Sequence, residues 1–289
     1  MPGTYSCYLN YIQVGDISVG RISARLAGLP EFLPAIAHLA ATQGNNGTGT
    51  IDGPMHTSQP QGRFGSSASL TVSYTAGKNL NDFGYSPAPQ NTYNLAAERS
   101  LADEDISQRL VISLVWSVPF GAGRRFGNNL PKWVEKTLGN WQINTLMTFA
   151  TGNPLIVTAA NTAGAYNLSE RANIVGNPVL SGDRSTAAKL AEWFNTAAFA
   201  QPAAFTFGNG SRTLPNVRSD GLRNIDLSIF KEFLFKEQKK FELGAEFFNF
   251  LNNPTFAPPG GTVGTTSFGV VSSQANLPRQ VQVAARMRF

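Results

Sequence analysis

Charge is scarce in this chain. Charged side chains make up 14% of its 289 residues, against roughly 25% in soluble domains, so part of the surface is not built to face water. A single cysteine, Cys7, rules out an intramolecular disulfide and a multi-cysteine metal site. The two histidines, His38 and His56, lie in Pro- and Gly-rich surroundings without ligand spacing, and read as solvated loop residues rather than metal ligands. No run of about 18 apolar residues occurs, which excludes a transmembrane helix. Met1 to Gly20 lacks the basic start and apolar stretch of a signal peptide. Taken literally that describes a cytoplasmic protein; the alternative is a piece of a longer exported protein whose natural start is not Met1.

Other absences bound the function. The net charge of +5 raises nucleic acid as a partner, but Lys and Arg are scattered, with no basic helix and no aromatic RNA-binding motif, so no nucleic-acid partner is expected. There is no G-x-S-x-G elbow, no Walker phosphate loop and no H-E-x-x-H, and neither histidine has a nearby Ser and acid. No enzyme activity, cofactor or resident metal is expected. The cluster Asp103, Glu104 and Asp105 lacks the spaced oxygen ligands and glycine of a calcium loop and reads as a solvated acidic turn.

What the chain has is alternation. In the last stretch Val281, Val283, Ala285, Met287 and Phe289 fall on one face, and Gln280, Gln282, Ala284, Arg286 and Arg288 on the other. Phe241, Leu243, Ala245 and Phe247 likewise oppose Lys240, Glu242, Gly244 and Glu246, and Ile225, Leu227 and Ile229 oppose Asn224, Asp226 and Ser228. Upstream, Ala68, Leu70, Val72 and Tyr74 alternate with Ser69, Thr71 and Ser73; Leu110, Ile112, Leu114, Trp116 and Val118 share one face of Arg109–Val118, before Pro119 ends it; and Trp141, Ile143, Thr145, Met147 and Phe149 share one face of Asn140–Ala150. Polar faces carrying amides and charges along their whole length suit water inside a barrel. The apolar faces suit either a soluble core or lipid. The carboxylates Glu242 and Glu246, on the polar face with Lys240, read as a solvated lumen network rather than an acid/base pair.

Residues 1–62 stand apart, with one or two strands expected in Tyr8–Leu26, a short helix over Glu31–Ala41 and loop from Thr42 to Gln61. From 63 to 289 the connections alternate in length. Long polar segments follow the strands ending near Thr75, Ala150 and Phe250; shorter ones follow Val118 and Phe233. In an antiparallel meander this places long loops at one end and short turns at the other, as in outer-membrane barrels. Trp116, Trp141, Phe233, Phe241 and Phe289 then gather near the short-turn end, Tyr74, Phe149 and Phe247 near the other, with Ile112, Ile143, Leu227 and Leu243 between. Membrane interfaces select such paired aromatic belts. The fold class expected is therefore all-β: an antiparallel transmembrane β-barrel in part, with long outer loops.

Several stretches carry a family resemblance: SLTVSYTAGKNLND from Ser69, VPFGAGRRFG from Val118, NWQINTLMTFATGNPL from Asn140, WFNTAAFAQP from Trp193, LRNIDLSIFKEF from Leu222, FELGAEFFNFLNNPTF from Phe241, and the ending RQVQVAARMRF. In order and spacing they resemble the carboxyl-terminal part of large TonB-dependent receptors of the Oar-like kind, outer-membrane β-barrels of Gram-negative bacteria. The resemblance implies an intact protein with a signal peptide, often a carboxypeptidase-regulatory-like domain, a plug, and a barrel of about 22 strands. The stretch read here lacks the first of these and the plug, so it is expected to be the terminal portion of such a receptor, truncated or split. The implied partners are outer-membrane lipid, the barrel-assembly machinery and, in the intact protein, TonB and a small-molecule, oligosaccharide or peptide ligand. The loops carry no signature that names the ligand or the residues binding it. In barrels of this kind a last strand with alternating apolar residues and a terminal aromatic is recognised by the assembly machinery, which assigns that role to Phe289, Met287, Val283 and Val281; the plain alternative is an ordinary apolar end.

Three function classes stand at this point. The first is a receptor or transporter component of the cell outer membrane, in which outer loops capture a ligand and an energised plug admits it. The second is an adhesin using the same loops without transport, and the third a soluble carbohydrate-binding β-sandwich. An in-frame signal and plug upstream of Met1 in the genomic DNA would favour the first.

Overall fold

The computed structural model describes residues 41–42, 55–58, 61–64 and 67–288, apart from 83–88, 92, 122–123, 125, 128–130, 163, 165–169 and 236–238. The strands expected in Tyr8–Leu26, the helix expected over Glu31–Ala41 except its last residue, and Cys7, His38 and Phe289 lie outside these residues.

The period-two segments assemble into one antiparallel wall. Its strands are β1 (Ala41–Thr42), β2 (Met55–Ser58), β3 (Gln61–Phe64), β4 (Ala68–Gly77), β5 (Gln108–Ser117), β6 (Trp141–Ala150), β7 (Leu222–Leu234), β8 (Lys240–Phe248) and β9 (Gln280–Arg288). From β2 onward the sheet follows chain order, β2 and β3 both lying along β4. The expected loop from Thr42 to Gln61 is thus corrected. Met55–Ser58 pairs with Tyr74–Gly77 and Gln61–Phe64 with Ala68–Thr71, so together they make one interrupted strand. Pro60 stands between the two segments in the sequence, and proline has no N–H to give a ladder. His56, expected in a loop, stands in β2 opposite Ala76. Neither segment has strong alternation; the ready-made edge of the ten-residue β4 supplies the pairing instead.

Register makes the apolar faces continuous. Tyr74, Leu110 and Phe149 stand in one row, Val72, Ile112, Met147 and Ile225 in another, and Ala245, Val283, Ile229 and Ile143 in a third. Toward the short-turn end Phe233 faces Phe241, which faces Met287, and their two phenyl rings lie 6.0 Å apart. The two aromatic groups therefore sit at opposite ends of the wall, as the alternation implied. Val281, Val283, Met287 and Leu243 are exposed on this face, and neighbouring exposed apolar side chains of this kind mark a surface that meets something other than water.

Lys231 and Phe230 depart from the alternation. Lys231 lies on the apolar face between Trp141 and Leu243, yet only 4% of it is exposed. Its ammonium donates to the Gly139 carbonyl and stands 5.4 Å from the ring centroids of both Trp141 and Phe233. A cation on an apolar face snorkels to the nearest carbonyl and aromatic faces in this way. Phe230 occupies the polar face and covers Gly244 directly opposite; a Cβ at that glycine would stand 2.5 Å from the ring. The ring thus fills the space the glycine leaves, protecting a weak point of β8.

The connections divide by end. At one end lie the short connections between β3 and β4 and between β7 and β8, with Ser117 N–H donating to Ser67 O at 2.7 Å and Phe235 N–H to Lys239 O at 2.9 Å. Residues 118–140 return there too, carrying the short helix α1 (Lys132–Leu138). At the other end stand residues 78–107, 151–221 and 249–279, and these are not slack loops. Short ladders pair Leu80–Asn81 with Ser100–Leu101, Pro154–Leu155 with Leu214–Arg218, Thr158–Ala159 with Glu170–Arg171, and Asn173–Ile174 with Phe199–Ala200. The buried hydrophobic cluster of the described residues lies here, built on Leu155, Val157, Ala172, Phe194, Phe199, Leu214 and Val217, with Phe268 packed against it from the last loop. Phe194, Phe199 and Phe268 meet edge to face in a mutual triad, their centroids 5.3 to 5.9 Å apart. The molecule's dry core is in its loops, which form a folded cap over one end of the wall.

Candidate functional site

The cap is held by charges drawn from separate loops. Glu98 ends a single 3-10 turn, Leu95–Glu98, and Arg171 belongs to the ladder pairing Thr158–Ala159 with Glu170–Arg171; their side chains meet at 3.0 Å and are almost fully buried. The same carboxylate oxygen accepts the Gln90 N–H at 3.0 Å, and the Arg171 guanidinium also donates to Ala97 O at 3.2 Å. Asp105 is buried, takes a 2.6 Å contact from Arg218 and accepts the Asn79 N–H. Arg218 in turn donates to the carbonyls of Asp105 and Gly152 at 2.9 and 3.0 Å. A third cation, Arg212, lies fully inside, donating to the Asn81 side chain and to the Glu98 carbonyl. Burial lowers the Arg212 pKa from its ordinary value, offset in part by Asp103 and Glu98; arginine remains a cation under such shifts.

Buried charge of this kind is tolerated only when paired and hydrogen-bonded. Here the pairs do so while fastening three loops: residues 78–107 to residues 151–221 twice through ions, and residues 151–221 to residues 249–279 through the aromatic triad. The reading of Asp103, Glu104 and Asp105 as a solvated acidic turn is therefore corrected. Asp105 is a buried structural anchor, because Arg218 arrives from 113 residues away. Glu104 does face water, and its carboxyl pKa is raised, first by a hydrogen bond with Asp103 and then by partial burial. No group of three or more His, Cys, Asp or Glu side chains suited to a metal ion occurs among the described residues.

Below the cap, the polar face of the wall carries its own network. Glu232 and Glu242 stand directly opposite each other, a like-charge pair relieved by Lys240 on Glu232 at 2.9 Å and Arg286 on Glu242 at 3.5 Å. The two glutamates, with Arg124, Gln142 and Arg288, line a cavity of about 340 Å3 near the short-turn end. Glu246 faces Gln282 farther along. Of the expected Glu242, Glu246 and Lys240 group, Glu242 is paired with Arg286 and Lys240 with Glu232. Of the residues assigned to barrel assembly, Val281, Val283 and Met287 share the exposed apolar face of β9, and β9 pairs on one side only, with β8, among the described residues.

The cap's anchors were missed in the sequence, where Glu98, Arg171, Arg212 and Arg218 look like ordinary loop charges. The one local signal was the apolar Leu155–Val157–Ala159 alternation together with the aromatics of Trp193–Phe199, too much oil for solvated loops.

An antiparallel wall with one polar and one apolar face, flanked by aromatics and closed at one end by long loops, defines a transmembrane β-barrel wall. Residues 57–282 match the family model described as an outer membrane beta barrel domain. The chain belongs to that family, and is an outer-membrane protein. No curated protein and no solved structure matches it. No helix among the described residues is long and apolar enough to cross a membrane; the strands do the crossing.

Proposed function

We propose that this chain is the carboxyl-terminal barrel portion of a TonB-dependent receptor of the Oar-like kind, whose cap captures a ligand outside the cell for import through the barrel. In this reading a plug and a TonB-contacting segment elsewhere in the intact protein supply the energised step, and the chain itself is a binding and conducting element, not an enzyme. The observation that carries the proposal is the cap. Passive pores need only open loops, whereas three loops with a buried core and two buried ion pairs make a pre-formed surface, which lowers the ordering cost of capturing a ligand. The polar, charged lumen face beneath it suits a docked polar domain or a water-filled path.

The same reading gives the remaining surfaces their partners. The apolar face meets outer-membrane lipid, and Val281, Val283, Met287 and Phe289 present the last strand to the barrel-assembly machinery along its open edge. Exposed Tyr93 and Phe205 on the outer loops favour one second reading, an adhesin that binds without import. The test is made in the source bacterium with the intact gene. Import requires that solute accumulation lost on deleting the gene is also lost on deleting TonB or collapsing the proton gradient. Surface binding that depends on the gene with no TonB-dependent accumulation sinks import and leaves the adhesin.

A further inference from the structure

The cap contains a cleft of about 440 Å3, lined among others by Gln90, Asn91, Asn94, Arg171, Phe207 and Asn209, within the size range of about 300 to 1,000 Å3 of ligand sites. Its wall is rigid where it is buried. Gln90 ties its amide to the backbone at both ends, donating to Gly208 O at 3.0 Å and accepting Arg171 N–H at 2.7 Å. Gly208 leaves no room for any other residue, since a Cβ there would stand 1.8 Å from the Arg171 carbonyl.

The wall's free chemistry is of one kind. Asn91 and Asn209 use their carbonyl oxygens to accept the N–H groups of Tyr93 at 3.0 Å and Ile174 at 2.7 Å, which leaves their amide NH2 groups for a ligand. Asn94 stands before the 3-10 turn without capping it. Arg171 is 94% buried by its side chain's 6% exposure, and its Nε has no partner among the described residues. Its charge is answered by Glu98, so the cleft presents donors without net charge. Beside them Phe207 is 45% exposed, an aromatic face held in solvent.

From this combination we propose that the cleft binds a neutral oligosaccharide. Sugars present hydroxyl groups in pairs that amides can satisfy, and apolar C–H faces that stack on an aromatic ring. A phosphate or a carboxylate-rich chelate would want an uncompensated cation, and Arg171 is already paired. An extended peptide would want free backbone groups along a strand edge, and along residues 171–174 the N–H groups of Arg171 and Ile174 go to the Gln90 and Asn209 side chains while Ala172 O accepts the Gly210 N–H. The proposal deepens the receptor reading above and rests on its placing of the cap outside the cell.

The test uses the intact protein folded in lauryldimethylamine oxide, a detergent without a sugar head that would compete. It is screened on an array of neutral and of sialylated or uronic-acid oligosaccharides, followed by calorimetry with the best neutral one. Phe207→Ala should weaken binding about tenfold, the scale of one lost stacking contact, and Asn94→Ala should weaken it several-fold. Phe235→Ala, at the short-turn end, should leave it unchanged, and all three should keep heat-modifiable gel mobility. Binding of acidic glycans alone, of no glycan, or binding indifferent to Phe207→Ala and Asn94→Ala overturns the proposal. Neutral-sugar binding lost in those variants but without TonB-dependent uptake keeps the cleft and removes import; TonB-dependent uptake of a sugar indifferent to the variants does the reverse.

Discussion

Placing an arginine at Val283 or at its neighbour Gln282 separates the two faces of the wall most sharply. Val283 is 70% exposed, in the middle of β9, and stands opposite Ala245. The charged residues on this face of the described strands are Arg223 and Lys231, both cations, so an arginine introduced here finds no carboxylate. In a bilayer it should cost about 2 to 4 kcal/mol near the midplane. Gln282 is one residue away and faces Glu246 on the lumen side; an arginine there gains an opposite charge directly across the strands, worth roughly 0.2 to 1 kcal/mol. The two variants should therefore differ by roughly 2 to 5 kcal/mol, with Gln282→Arg equal to or above the parent. Urea titration of the intact protein folded into phosphatidylcholine vesicles, followed by tryptophan fluorescence and heat-modifiable gel mobility, measures the gap. Equal cost at both positions, or a greater cost at 282, would refute the assignment of faces.

The cap offers three further tests. Glu98→Ala leaves the Arg171 guanidinium buried without its partner and should destabilise the cap by about 3 to 5 kcal/mol; faster hydrogen exchange in residues 96–101 and 170–174, with β5 to β8 unchanged, is the expected result, and slowing or melting of the whole wall would contradict a separate cap. Glu104 binds its proton more tightly folded than unfolded, so its contribution to stability is full below its ordinary pKa of 4.5 and is lost as the pH rises through the raised folded value. Glu104→Gln should accordingly raise Tm at pH 7 and give no gain below pH 4.5; a gain that grows on acidification has the wrong sign. Protease added to intact cells should cut beside the exposed Tyr93 and Phe205 and spare residues 235–239, and cutting confined to 235–239 would invert the topology.

Local periodicity settled the wall from the sequence alone. Side chains alternate every residue in a strand whatever its neighbours are, so β4 to β9, their two faces and the alternation of long and short connections were all legible as residues 68–289 were read in order. The aromatic ends followed, because an antiparallel meander converts position along each strand into height. The barrel-forming identity of the apolar faces needed more, since the same alternation serves a soluble core, and the family match supplied it. What required the tertiary structure was everything made by partners far apart in the chain. Met55–Ser58 and Gln61–Phe64 are strands because β4 offers them an edge, not because their own residues demand one. Lys231 is tolerated on the apolar face because Gly139, Trp141 and Phe233 converge on its ammonium. The cap exists because Glu98 meets Arg171 across 73 residues and Asp105 meets Arg218 across 113. No short-range pattern encodes such a meeting: the separations are fixed by which strands pair, and a loop charge becomes a buried anchor only once the wall has brought its opposite to it.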